Sequence, residues 1–496
     1  MTYPSFKRYV IVKNLKNLKN LKNLLIMMSL SLIVSCVQLP KTEPETVPKI
    51  GVEGQFEKVK ANHIALRQFI QAMPKGGDLH NHLSGAVYAE SWIRWAEEDG
   101  MCLNSKILAI QYPDADGCGD MATMQSALKD NQKLRNELIE KLSLRDYVPH
   151  TGWSGHDQFF DTFMSMAAMP IRFGDMIADA ANLAGRQNIE YLELMHTQAL
   201  FGTILPMVGG MTMTGDSETD YKALMDSKFG SALPTIVAEA KLEIDQAMAR
   251  KNELLKCGTD RAEPGCKVKV RFLSQNVRTL PPSAVFAHAI FSWHLMKKDS
   301  RVVGTNLVAP EDDYIALRDY KQHMAQLNYL YKTLGEWNVA LHAGELWLGL
   351  VHPKELRFHI TEAVMIANAK RIGHGTDIVF ETDYKSLLKY MKEQGIAVEI
   401  SLTSSDIILG IKGAKHPITV YRDAGIPITL STDDEGVSRI DLSYEYVRAI
   451  QEFDLSYSDI KDISYNGLKY AFLPEPEKAV MLKSLDKRFL EFENRF

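Results

Sequence analysis

Eight short apolar runs, each followed by a helix-like stretch, limit the architectures open to this chain. They are Asp78–His82, Ile189–Thr197, Lys269–Val277, Arg301–Ala309, Val339–Glu345, Arg371–Thr376, Ile396–Ser404 and Ile426–Asp434. Stretches such as 312–337 and 381–395 carry helical periodicity between them. Strand then helix, repeated, predicts an α/β chain with a parallel sheet, and eight repeats predict a (β/α)8 TIM barrel. Phe56–Met73 reads as a helix leading into the first strand. The spacing from His82 to Ile189 exceeds one βα unit, which predicts a helical insertion after strand 1, at about residues 100–185. Pro206–Asp220, rich in Gly, Met and Thr, reads as a mobile loop.

The first 35 residues fall outside that pattern. They hold Lys7, Arg8, Lys13, Lys16, Lys19 and Lys22, no acidic residue, and then an apolar run, Leu24–Ser35. The run is short for an ordinary membrane span, and its flanks read as a secretory signal over 1–35. Ser35-Cys36 resembles a bacterial lipobox, with Cys36 as the lipidated N-terminus. Residues 36–55 are Pro- and Glu-rich and read as a tether, leaving 56–496 for the barrel domain. The expectation is an exported lipoprotein, anchored to a membrane and facing the periplasm or cell exterior. In such a compartment the even set Cys102, Cys118, Cys257 and Cys266 reads as disulfides. Three connectivities exist, and the local pairs Cys102–Cys118 and Cys257–Cys266 are the simplest. A zinc knuckle competes, but the chain has no C-x-x-C. The net charge of −5 argues against a nucleic-acid partner.

Active sites of such barrels lie at the C-terminal ends of the strands. Strand 1 ends in His80 and His82, strand 5 in His342 and Glu345, strand 6 in His374 and strand 8 in Asp433 and Asp434. One histidine there is ordinarily a satisfied core residue. Four strand ends doing this together are not explained by packing, because each unpaired buried polar group costs about 1–3 kcal/mol. Three imidazoles and a carboxylate suit Zn²⁺, so His80, His82, His342 and Asp433 are the expected ligands of one ion per chain. The ion would bring the pKa of a bound water to about 7. Glu345 and His374 then suit general acid and base roles. Asp434, directly after a ligand, should face the rim and the substrate.

The motifs Met73–Gly85, Leu341–Glu345, Arg371–Thr376 and Leu430–Asp434 occur in the order seen in the adenosine deaminase family, and the chain resembles that family from Met73 to about Pro474. The early insertion, the signal and residues 147–163 resemble its secreted growth-factor type and their bacterial relatives. The resemblance implies zinc-dependent hydrolysis of adenosine or 2′-deoxyadenosine to inosine or 2′-deoxyinosine and ammonia, with a purine nucleoside as the small-molecule partner. It implies that Glu345 protonates purine N1, that His374 orients and deprotonates the water, and that Asp434 bonds that water or purine N7. His82, Ser84, Ala309 and Asp434 would meet the substrate.

Three positions depart from the family. Ser84 stands where an Asp usually meets the ribose. Ala309 stands at the usual Gly whose N–H meets the purine, and Ser401–Ser405 replaces a Cys-Pro-x-Ser-Asn pattern. None touches the expected ligands or Glu345, so the departures bear on substrate fit. The alternative enzyme is a deaminase of another 6-aminopurine or modified nucleoside on the same barrel. A non-catalytic nucleoside-binding lipoprotein would need neither Glu345 nor His374. Trp92 and Trp95 read as core, while His156 and His196 are open between pocket and packing roles.

Overall fold

The computed structural model describes residues 50–496 apart from 168 and 170, so the expected signal, Cys36 and residues 36–49 lie outside the described residues. Eight parallel strands form its centre: β1 (Lys75–His82), β2 (Ile189–His196), β3 (Lys269–Val277), β4 (Val302–Val308), β5 (Ala340–Ala343), β6 (Arg371–His374), β7 (Ala397–Ile400) and β8 (Ile428–Leu430). They make two four-stranded sheets, β1-β2-β3-β4 and β5-β6-β7-β8. Each sheet curls, and the halves meet at two seams through the isolated parallel bridges Thr305–Val339 and Asn81–Asp433. This is the arrangement of a (β/α)8 barrel. Every residue of β1 is buried, as is every residue of β4 to β8. That matches parallel strands covered on both faces, whose sequences run apolar without alternation.

The strand bounds differ from expectation where the backbone turns. β5 stops at Ala343 because Gly344 takes φ +76°, and β8 stops at Leu430, before Asp433 at φ +60°. Gly51–Lys60 is a helix, so helical structure begins inside the stretch expected as tether. Phe56–Met73 is not one helix: the chain breaks at Asn62, whose side chain caps a second helix, His63–Ala72. The segment between β1 and β2 is helical over Ala89–Glu98, Gln132–Lys141, Gly155–Met166 and Phe173–Arg186. It also carries a three-stranded antiparallel sheet (Cys102–Asn104, Ala109–Gln111 and Ala122–Thr123), whose strands are too short to show a pattern in the sequence. Pro206–Asp220 is not simply a loose loop. A helical turn occupies Leu205–Val208, and the buried Asp220 carboxylate accepts from Thr214 N at 2.7 Å, Thr214 Oγ1 at 2.8 Å and Gly215 N at 3.1 Å.

The helix Tyr457–Lys469 braces the strand starts, away from the site. Ser464 Oγ donates to Pro74 O at 3.0 Å, and Asn466 Nδ2 donates to Ile428 O at 2.9 Å. Trp92 and Trp95 are buried and pack edge to face, 5.4 Å apart, as core residues. Among the described residues no helix is long and apolar enough to cross a membrane.

Candidate metal and catalytic site

Strand alternation puts His80 and His82 on one side of β1. The seam carries Asp433 to them: His82 N donates to Asp433 O, and Asp433 N donates to His80 O, both at 2.9 Å. His342, from β5, completes a cluster of four donor atoms. His342 Nε2 lies 3.0 Å from His80 Nε2 and 3.1 Å from His82 Nε2, and Asp433 Oδ1 lies 3.3 and 3.2 Å from the same two nitrogens. Four ligands on a tetrahedral zinc, with bonds of roughly 2.1 Å, stand about 3.4 Å apart. Spacing and donor chemistry therefore fit one such ion.

Each histidine offers Nε2 because its other nitrogen is held. His80 Nδ1 is 2.7 Å from Glu399 Oε2, His82 Nδ1 is 2.8 Å from Gln275 Oε1, and His342 Nδ1 is 2.9 Å from Asn306 Oδ1. Such outer partners fix ring orientation and tautomer. Behind Glu399 the buried chain continues through Arg371, which bonds Glu399 and also Glu193 Oε2 at 2.5 Å. Glu193 Oε1 accepts from Tyr191 OH and Phe472 N, each at 2.7 Å. Sequence reasoning missed Glu399, Arg371, Glu193 and Gln275. The signal was charges inside apolar strands, such as Glu399 within Ile396–Leu402.

The electrostatics suit a cation. Burial opposes charge on His80, yet Asp433 and Glu399 push its pKa up to about 10. Burial alone would raise Asp433, but the bonds from His80 and His82 hold it well below the usual carboxylate range. Asp433 and Glu399 thus favour positive charge at the point where the imidazoles meet.

Glu345, His374 and Asp434 stand beside these donors: His374 groups with His80, His342 and Asp433, and Asp434 with His82 and Asp433, ligand atoms within 4.8 Å of one another. His374 Nδ1 stands 3.6 Å from Glu345 Oε1, and its ring centre is 4.9 Å from that of His80. His374 comes close enough to be weighed as a ligand. Unlike His80, His82 and His342, neither of its nitrogens has a hydrogen-bond partner, so no outer group presets it for a metal. Burial brings its pKa down to about 3, leaving a neutral imidazole. Burial, then Asp433 and Glu311, push the Glu345 carboxyl well above its usual range, and burial with Asp433 does the same to Asp434. Glu345 Oε1 and Asp434 Oδ1 are buried without hydrogen-bond partners. A neutral imidazole, a carboxyl whose burial favours the protonated form and a second buried carboxyl beside a candidate cation site are the parts of a metal-assisted hydrolysis.

Ser84 is half-buried in the turn after β1. Next to it, Gly85 has no room for a side chain: a Cβ there would lie 1.6 Å from Asp434 Oδ1. Ala309 takes φ +82° at the end of β4, and its carbonyl accepts from Arg278 Nε at 3.0 Å. His374 and Asp433 also have positive φ, 65° and 60°. Strained backbone at three strand ends of one cluster is typical of functional sites. Ser401, Ser404 and Ser405 are buried after β7 with their hydroxyls unpartnered.

His196 stacks on Phe173 at 4.0 Å, a packing role, and burial takes its pKa down to about 4. His156 Nε2 meets Asp312 Oδ1 at 3.0 Å, joining the segment after β1 to the loop after β4. Cys102 is bonded to Cys118, and Cys257 to Cys266.

Similarity to known proteins agrees with this geometry. The sequence model described as Adenosine deaminase matches residues 231–488. An adenosine deaminase of Klebsiella pneumoniae (strain 342) is 33% identical over 152 residues, 30% of this chain and 42% of that enzyme. The chain therefore matches less than half the length of such curated relatives. Among solved structures, adenine deaminase from Arthrobacter aurescens superposes with TM-score 0.54 at 15% identity, covering 84% of this chain and 98% of that one. Arabidopsis ADAL complexed with IMP gives TM-score 0.55 at 19% identity, covering 86% and 99%. With its family motifs seated at the ends of the barrel strands, and with just over half its length matched, the chain belongs to the adenosine deaminase family.

Proposed function

We propose that this chain hydrolytically deaminates a 6-aminopurine nucleoside, adenosine or 2′-deoxyadenosine, using one zinc ion held by His80, His82, His342 and Asp433. The observation that carries the reading is that His342 Nε2 and Asp433 Oδ1 each stand 3.0–3.3 Å from Nε2 of both His80 and His82, beside the unpartnered polar atoms of Glu345, His374 and Asp434.

A bound divalent ion supplies an acidified water as nucleophile at neutral pH. His374, neutral when buried, takes the proton that the water releases. Glu345, whose burial favours the protonated carboxyl, gives its proton to ring N1 as the ring loses aromaticity. Asp434, grouped with His82 and Asp433, fixes the approach of water or purine N7. A C6–O bond forms, the C6–N bond breaks, and ammonia leaves the 6-oxopurine. Closure of the site by buried residues strengthens each of these interactions.

The decisive measurement is ammonia release from a panel of adenosine, 2′-deoxyadenosine, adenine, AMP and N6-methyl-AMP, with bound metal counted. Adenosine and 2′-deoxyadenosine should lead. Asp433→Ala should lose both metal and turnover. No release from any member ends this reading. A preference for AMP would favour the second reading, a nucleotide deaminase. Two points motivate that reading: neutral Ser84 leaves no carboxylate to repel a 5′-phosphate, and Arabidopsis ADAL binds IMP.

The setting we infer is outside the cytoplasm, on a lipid anchor at Cys36. The order of basic residues, apolar run and Cys36 supports it, as do the two disulfides, which persist in oxidising compartments. The N-terminal peptide of the processed protein should begin at Cys36 and carry a diacylglycerol. An unmodified Met1 terminus would end that inference.

A further inference from the structure

The turn after β5 carries Glu345, and Glu311 holds that turn. Glu311 is 1% exposed and follows the left-handed Ala309 by two residues. Its Oε2 accepts from Glu345 N at 2.8 Å, and its Oε1 accepts from Gly344 N at 3.1 Å. His359 Nδ1 is 2.6 Å from the same Oε1, and the His359 ring stacks on Tyr320 at 3.7 Å. Tyr320 OH donates to His359 O at 2.7 Å, so the third donor is itself fixed. From the other side, Arg278 Nη1 donates to His342 O at 3.2 Å while its Nε holds Ala309 O. The ends of β4 and β5 are thus bonded into one frame.

The turn needs such a frame. Gly344 has φ +76°, and a Cβ there would lie 2.3 Å from Asp377 Oδ1, so the chain reverses sharply in a filled space. Two adjacent amides pointing at one carboxylate set the direction in which the Glu345 side chain leaves the backbone, toward His374. We propose that Glu311 is a positioning residue for Glu345, clamping the turn so that its carboxyl faces the reacting purine. The proposal rests on the deaminase reading above. Glu311 does not bond any of the four metal donors, so its effect should leave the metal alone. Its charge, after burial and Asp433, also helps to keep the Glu345 carboxyl above its usual range.

Glu311→Gln tests this, because the amide nitrogen cannot accept from a backbone N–H and one clamp bond becomes a donor facing a donor. Four readouts are needed: kcat and KM on adenosine, bound metal, the pH profile of kcat, and hydrogen exchange of the peptide holding Gly344 and Glu345. Misplacement on the ångström scale predicts a fall in kcat of about 10- to 100-fold, with KM held within about threefold. Metal content should stay at one per chain, exchange should quicken, and the alkaline limb of kcat should move to lower pH, since Glu345 then loses its proton more readily. Unchanged kcat and exchange overturn the clamp, as does a change in KM alone, or a loss of kcat that tracks loss of metal. If Glu311→Gln fails to fold, His359→Phe keeps the ring stack and removes one donor. It should lower kcat about 3- to 10-fold with faster exchange, and no effect overturns the proposal. If wild type deaminates no 6-aminopurine, the deaminase reading fails, and the exchange measurement still decides the clamp.

Discussion

His80 Nδ1 and Glu399 Oε2 stand 2.7 Å apart in the barrel interior, both out of reach of water. The bond turns Nε2 toward the other donors and raises its basicity. Replacing Glu399 by Gln should weaken zinc binding about 10- to 100-fold, the usual cost of losing an outer partner. Competition with a chromophoric chelator measures this directly. Affinity equal to wild type would remove Glu399 from the metal centre.

Glu345→Gln separates catalysis from ligation. The isosteric amide cannot donate a carboxylic proton, so kcat should fall about 100- to 10,000-fold. Metal content should remain, because no metal donor bonds Glu345. If elemental analysis finds the zinc gone, Glu345 is a ligand and its assigned role is wrong.

Much of this candidate site was readable in the sequence because its polar residues break the rule of their strands. His80, His82, His342 and His374 are polar residues in apolar runs, at the strand ends where a barrel keeps its chemistry. The eight strands were legible for the same reason of pattern. The outer frame was not. Glu311 follows an Ala-Pro pair in a loop, and nothing local says that its carboxylate will meet amides 33 and 34 residues further on. Contacts of that range exist only once the barrel has closed. The small sheet from Cys102 to Thr123 escaped notice because its strands are only two or three residues long.

Ser84 should loosen selection at the sugar. A neutral hydroxyl accepts a weaker bond than a carboxylate, about half as strong. Adenosine, 2′-deoxyadenosine and 5′-deoxyadenosine should therefore show kcat/KM values within about tenfold of one another, roughly the span of one modest hydrogen bond. Ser84→Asp should widen that span in favour of adenosine. A strict hydroxyl requirement in the wild type would mean that another residue holds the sugar.

Glu445 should make stability fall as pH rises from acid toward neutral. Burial pushes its folded pKa up to about 7 against an ordinary 4.5, although it accepts from Leu402 N at 2.7 Å and Thr403 N at 3.3 Å. The folded state then binds more protons than the unfolded state between those values. Its contribution is fully present below pH 4.5 and is lost as pH climbs through 7, by about 3 kcal/mol at most. Denaturant unfolding of wild type and Glu445→Gln at pH 5, 6, 7 and 8 measures the slope. Parallel curves for the two proteins would contradict it.

The seam at which Asp433 meets β1 also sets a timetable. Two of the four proposed metal donors lie on the first barrel strand, and the carboxylate that joins them follows the eighth, through the same pair of 2.9 Å backbone bonds that shut the barrel. A growing chain can show His80 and His82 to passing ions long before it can grip one. Selective capture must wait until Asp433 has left the ribosome and the last strand has docked. On the proposed ligand set, the ion would therefore be chosen wherever folding finishes, by the metals present there, and not where the histidines are first made.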